Sequence, residues 1–188
     1  MTDELFEQSI RRIQQGDKEG LKQIYEAYIA FIYSVIYAVL KNKEGAEDVT
    51  SEFFIKLWNV ADQYQFGGKH KAYLATIAHN MAIDYIRKNH HEQATEDIQD
   101  VVDAGTAVST LGMQATPVED SVVGNLTMKE AIQTLKEPEQ EVLNMKIFGD
   151  LTFAEIAKIL QQPMGTITWR YRTAIEKLRK SYGKEVRR

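Results

Sequence analysis

The chain contains no cysteine, which excludes disulfides and thiolate metal sites and suits a reducing compartment. Proline is almost as scarce: Pro117, Pro138 and Pro163 are the three, and none interrupts a helix before position 117. Long apolar runs are missing too. The longest, Ile29 to Leu40, is short for a membrane span and contains Tyr33, Ser34 and Tyr37. The opening MTDELFEQSI is acidic and lacks the basic and apolar regions of a secretory signal, so a cytoplasmic location without membrane insertion is expected. Enzyme signatures are wanting as well: there is no HExxH, EF-hand loop, P-loop or GxSxG. Of the four histidines, His70, His79, His90 and His91, the last two are adjacent. On a helix, neighbours point about 100° apart, a poor metal clamp. The expectation is a non-enzyme with no catalytic residue, no cofactor and no metal.

What remains is ordinary in bulk. At 188 residues the chain suffices for one medium domain or two small ones, with 44% hydrophobic and 27% charged residues. The net charge of −4 hides an asymmetry. Residues 1–91 hold 11 Lys+Arg against 12 Asp+Glu, residues 92–123 hold none against 7, and residues 124–188 hold 12 against 8.

Apolar spacing predicts helices and no strand. Leu21, Ile24, Tyr25, Tyr28, Ile32, Val35, Ile36 and Val39 recur at three-four spacing. A second helix is predicted over 44–60, striped by Ala46, Val49, Phe53, Leu57 and Val60, and a third over 71–87, striped by Leu74, Ile77, Ala78, Met81 and Tyr85. Gly67-Gly68 separates these two. Periodicity then disappears over 92–123, an acidic, Gly/Ser/Thr-rich segment with Pro117 that reads as a flexible linker. Helices resume near Asn125, with capping-box patterns at Thr127/Glu130 and Thr152/Glu155 and a first-turn proline at Pro138. The predicted architecture is all-α: a domain over 1–91, an acidic linker over 92–123, and a second small domain over 124–188.

Within the second domain, FAEIAKILQQPMGTITWRYRTAIEKL has helix-turn-helix form. A short helix ends near Leu160, Gln161-Gln162-Pro163 makes the turn, and the next helix starts near Gly165. Ile167, Tyr171, Ala174 and Leu178 form its inward face, while Thr168, Trp169, Arg170, Arg172 and Thr173 form the other. Residues 164–188 hold 8 Lys+Arg against 2 Asp+Glu. Such a helix suits the DNA major groove, where arginines read guanine edges and threonine methyls pack on thymine. A basic, solvated terminal helix has the same composition, because cations suit a helix C-terminus. Gln161 stands where many such turns carry a left-handed glycine.

In the first domain, Glu47 to Trp58 is an acidic-aromatic helix with Asp48, Glu52, Lys56 and Trp58 off its apolar stripe, which by itself describes an ordinary exposed face. Lys69, His70, Lys71 and Tyr73 lead into Asn80, Asp84, Arg87 and Lys88. Cations, aromatics and amides so gathered suit an unpaired strand, since bases stack on rings while phosphates meet cations. A solvated surface over core tyrosines fits equally.

The run AEDVTSEFFIKLW followed by KAYLATIAHNMAIDYIRK resembles region two of extracytoplasmic-function (ECF) sigma factors, and LKEPEQEVLNMKIFGDLTFAEIAKILQQPMGTITWRYRTAIEKLRK resembles their region four. The likeness spans about residues 10–91 and 125–182, in the family's order and around an acidic linker. It implies a sigma factor that binds core RNA polymerase, through the β′ clamp helices and the β flap, and directs it to promoter DNA. Asp48, Glu52, Phe53, Lys56 and Trp58 would then dock on the clamp helices. Lys69, His70, Lys71, Tyr73, Asn80, Asp84, Arg87 and Lys88 would melt and read the −10 element. Thr168, Trp169, Arg170, Arg172 and Thr173 would read the −35 element as duplex. An anti-sigma partner is usual in that family. Tyr73 replaces the family's usual tryptophan, and His79 stands where arginine is frequent. Thr168 and Trp169 replace a common Lys-Ser, so that Trp169 either meets DNA or packs on the preceding helix. The rival reading is a stand-alone helix-turn-helix regulator, which would bind a palindromic duplex without polymerase.

Overall fold

The computed structural model describes residues 1–96, 132 and 134–185. The helices among them are α1 (Asp3–Gln14), α2 (Lys18–Leu40), α3 (Lys43–Val60), α4 (His70–Glu96), α5 (Glu137–Ile147), α6 (Phe153–Ile159) and α7 (Met164–Glu185), with a 3-10 turn at Ala61–Gln63. No strand occurs among the described residues. The all-α expectation holds. The segment 97–131, with most of the predicted linker and the Thr127/Glu130 capping pattern, lies outside the described residues.

Two helices exceed the sequence reading. α4 continues from the predicted end near 87 to Glu96. α1 had no counterpart, although its signals are present: the Thr2 hydroxyl caps the Leu5 N–H at 3.3 Å, Asp3 and Glu4 occupy the first turn, and Arg11 and Arg12 the last. Phe6, Ile10 and Ile13 form its buried stripe. Asp17 and Asn42 cap α2 and α3 in the same way, accepting from the N–H groups two residues on.

α2 is the central helix, packed against α1, α3, α4 and α5. By length and composition it could cross a membrane, but Ile24, Ile32, Val35 and Ile36 are buried among the surrounding helices. α1 crosses it closely at Gly20, where a Cβ would sit 2.3 Å from the Ser9 carbonyl oxygen, so only glycine fits.

The N-terminal helices α1–α4 and the C-terminal helices α5–α7 pack directly together. Val142, Met145, Leu151, Ile156 and Ile167 join Ile24, Ile32, Phe53, Leu57, Leu74 and Ala78 in one continuous apolar cluster. A second cluster of Leu135, Leu143, Ala174 and Leu178 lies within the C-terminal set. The α5–α6 connection seats on α2 at Gly149, whose missing side chain leaves room for the Phe31 ring; a Cβ would approach it to 2.6 Å. Around this seam Asn144 Nδ2 donates to the Ser34 carbonyl at 3.4 Å and Lys41 Nζ to Gln140 Oε1.

Candidate nucleic-acid interface

The helix-turn-helix is assembled as its sequence suggests. The Thr152 hydroxyl accepts from the Glu155 N–H at 3.3 Å while Glu155 Oε2 accepts from the Thr152 N–H at 2.7 Å, a reciprocal cap that starts α6. Burial pushes the Glu155 carboxyl up, but both groups of Thr152 and the Lys69 ammonium together hold it below the usual range. At the turn Gln161 takes φ +52°, the left-handed conformation that glycine usually supplies there. Pro163 then precedes α7, its carbonyl accepting from the Thr166 and Ile167 N–H groups at 2.9 and 3.2 Å.

On α7, Ile167, Ala174 and Leu178 are buried, and Tyr171 is half-buried with its ring 5.3 Å from that of Phe153. Trp169 is 63% exposed and Arg172 is exposed, so the indole does not pack on the preceding helix. Arg170, Thr168 and Thr173 are half-buried. Thr168 returns its hydroxyl to the Met164 carbonyl at 2.9 Å. Arg170 acts on Glu141 of α5, whose carboxyl burial holds above its ordinary range against the pull of Lys41 and Arg170.

On α3, Asp48, Glu52 and Lys56 are exposed on one ridge, and Trp58 is half-buried. Phe53 is fully buried, 5.1 Å from Phe54 ring to ring, and therefore leaves the set of surface contacts. Ile55, 64% exposed between Glu52 and Lys56, belongs on the ridge instead. Its signal was legible: it is an apolar residue off the Val49–Phe53–Leu57 stripe.

On α4 and the loop before it, Lys69, Asn80, Asp84, Arg87 and Lys88 are exposed, and Lys71 and Tyr73 half-buried. His70 is buried at 3% exposure, stacked on Phe6 at 4.7 Å, with Tyr28 Oη at its Nε2 and the Asp3 carboxylate at its Nδ1. It too is a core group, closed to DNA. Burial pushes its pKa down despite Asp3, and raises Tyr28 to about 12 with help from Asp3. Neutral His70 satisfies both partners, donating to Asp3 and accepting from the tyrosine hydroxyl.

The α4 face and the helix-turn-helix meet across a cleft of about 400 Å³ lined by His79, Asn80, Ile83, Asp84 and Arg87 on one side and Ile159, Leu160 and Gln161 on the other. Lys69 Nζ bridges to Glu155 Oε1 at 2.9 Å. The residues expected to read a strand thus confront the turn of the helix-turn-helix, while Trp169 and Arg172 stay accessible.

The two halves each match a family model: Sigma-70 region 2 over residues 24–92 and Sigma-70, region 4 over residues 131–180. The ECF RNA polymerase sigma factor SigW of Bacillus subtilis is 28% identical over 179 residues, covering 94% of this chain and 96% of that protein. SigK of Mycobacterium ulcerans is 25% identical, covering 90% and 89%. Among solved structures, RpoE of Bartonella quintana with the anti-sigma factor NepR aligns over 88% of this chain and 98% of its own, with TM-score 0.59 and 22% identity. CnrH in complex with the cytosolic domain of CnrY aligns over 96% and 98%, with TM-score 0.59 and 14% identity. At those identities the structures speak for the fold alone. The order of the two sigma-70 regions along one chain, with full-length ECF relatives on both measures of coverage, places this protein in the sigma-70 family as an ECF sigma factor.

Proposed function

We propose that the chain binds core RNA polymerase in the cytoplasm and directs it to promoters by reading a −10 and a −35 element. The observation that carries this is the pairing, in one chain, of an exposed Arg/Trp face on α7 with an exposed cation-and-amide face on α4 and its preceding loop. The first has the shape and donors for a major groove. The second suits an unpaired strand, where phosphates meet Lys69, Lys71, Arg87 and Lys88 and bases meet Tyr73 and Asn80. Asp84 lies on the same exposed face, ion-paired with Arg87 at 3.4 Å. Asp48, Glu52, Ile55, Lys56 and Trp58 on α3 form the polymerase ridge, docking on the β′ clamp helices, with the C-terminal helices on the β flap. Thr168, Trp169, Arg170, Arg172 and Thr173 face the −35 duplex.

Melting a promoter costs unstacking energy, offset when extruded bases find pockets and the phosphates find cations. Polymerase brings both DNA-reading faces onto one promoter, so two weak sites act as one strong one. The family consists of transcription initiation factors rather than enzymes, and no step here asks a side chain to make or break a bond. An anti-sigma factor is the further partner, as RpoE has in its complex with NepR.

The test is in vitro transcription with core polymerase on promoters selected from a random library. Initiation at a defined −10/−35 pair, crippled by Arg172→Ala and by Asn80→Ala, is the expected result. Each lost base contact costs about 1–3 kcal/mol. A protein that leaves polymerase unaffected and alone binds a palindromic duplex is a stand-alone regulator instead.

A further inference from the structure

α1 lies outside the segment matched to Sigma-70 region 2, yet it is bound point by point to the connection that carries the chain from α3 into α4. Four polar side chains, one per turn of α1, engage that connection in reverse order. Gln14 Nε2 donates to the Ala61 carbonyl at 2.9 Å. The Arg11 guanidinium lies over the Phe66 ring, 4.9 Å from its centroid. Glu7 Oε1 accepts from the Gly67 N–H at 2.6 Å. Asp3 pairs with His70 Nδ1. The positions 3, 7, 11 and 14 share one face of a helix, so α1 runs antiparallel along residues 61–70 and grips them at successive points.

Anchoring α1 to the bundle does not require these four. Phe6, Ile10 and Ile13 do that, on the buried stripe. The polar contacts bury little apolar surface; what they do is hold a loop that has few restraints of its own. Gly67 at φ +81° and Gly68 both lack side chains, and Gln65 to Lys69 are exposed. Unheld, such a segment samples many conformations, and ordering it costs on the order of 1 kcal/mol per residue. Held, it presents the Phe66 ring, 42% exposed with the Arg11 guanidinium over it, three residues before the exposed Lys69. A ring beside a cation is what a base and its phosphate require.

We infer that α1 is a splint: Glu7, Arg11 and Gln14 are positioning residues that fix residues 61–70 in the shape that discriminates bases of the −10 element. Base selectivity thereby depends on a helix that does not itself touch DNA. The inference rests on the proposed reading of this loop as part of the −10 interface.

The experiment uses the full chain with core polymerase on templates randomised across the −10 element and fixed at −35, with transcripts sequenced to give base preference at each position. Glu7→Ala, Arg11→Ala and Arg11→Lys are compared with the parent after thermal melts establish that each is folded. The expected outcome is that both alanine variants flatten the −10 preference by about fivefold, the scale of one cation–π contact or hydrogen bond. Arg11→Lys restores the preference, since it keeps a cation over Phe66. Gln14→Ala, at the far end of the splint, reports the same shift should an alanine variant at 7 or 11 fail to fold. A selectivity profile unchanged in the alanine variants, whatever their yield, overturns the splint. A parent protein with no −10 preference at all overturns the promoter reading beneath it.

Discussion

The ammonium of Lys69 lies 2.9 Å from Oε1 of Glu155, an ion pair that ties the loop before α4 to the first helix of the helix-turn-helix. Lys69 is 70% exposed at its side chain, so the pair is a surface contact worth no more than about 1 kcal/mol. Its importance is positional: one of the two cations at the entrance to the proposed −10 face is committed to the other DNA-reading half.

Engagement of a promoter is therefore expected to require the halves to part. The cysteine-free chain allows a clean test, because Lys41→Cys with Gln140→Cys introduces the only thiols, on side chains that touch across the seam. Bridging them with a short bismaleimide that contains a reducible disulfide is expected to lower promoter-dependent transcription by about tenfold or more, since the competent population falls. Reductant should restore it. Undiminished transcription from the bridged protein would show that the closed arrangement is compatible with promoter binding.

Phe53 and the α3 ridge separate stability from docking. Phe53→Ala empties a fully buried site and is expected to cost about 3–5 kcal/mol, read as a large drop in the thermal midpoint. Glu52→Ala and Ile55→Ala, at exposed positions, should change stability by less than about 0.5 kcal/mol while weakening the complex with core polymerase. Pull-down with core polymerase beside thermal melts checks both, and a folded Ile55→Ala with undiminished affinity would remove Ile55 from the ridge.

Acid should destabilise the fold through His70. Burial lowers its pKa, with Lys71 and the N-terminal ammonium adding to burial and Asp3 opposing. A histidine so depressed contributes stability that is full above its unfolded value near 6.5 and is lost as pH falls below it. Burial lowers His79 likewise, while Glu141, raised by burial, works in the opposite direction at lower pH. Comparing variants isolates the contribution of His70: the midpoint of the parent should fall between about pH 7 and pH 5.5, and His70→Gln should flatten that slope. Equal slopes would assign the effect elsewhere.

Gln161 is strained where glycine would not be. Its φ of +52° brings a side chain into the left-handed region, so Gln161→Gly is expected to gain about 0.5–1 kcal/mol, the relief being trimmed by glycine's greater freedom when unfolded. Urea denaturation reads this directly; a loss of stability would mean that the glutamine side chain contributes more than its backbone costs.

Helix periodicity and capping chemistry are local, and there the sequence was legible: α2, α3, the start of α4, the Thr152/Glu155 cap and the turn before α7 all rest on neighbours within four positions. α1 was readable by the same signs, with Thr2, the acidic first turn and the Phe6–Ile10–Ile13 stripe in place. The family resemblance likewise needs only order and motif.

His70 could not be placed this way, whereas Phe53 already stood on the apolar Val49–Phe53–Leu57 stripe and only its assignment to a surface contact was wrong. A histidine between two lysines has the composition of a surface group; only packing against Phe6, Tyr28 and Asp3 makes it core. The sequence by itself determined the helices, their amphipathic faces and the two DNA-reading motifs, because those depend on interactions a few residues apart. The tertiary structure alone decided that α1 splints the 61–70 connection and that the two halves close over the α4 face, because Glu7 with Gly67, Phe31 with Gly149 and Lys69 with Glu155 are pairs far apart in the chain that nothing but the folded core brings into contact.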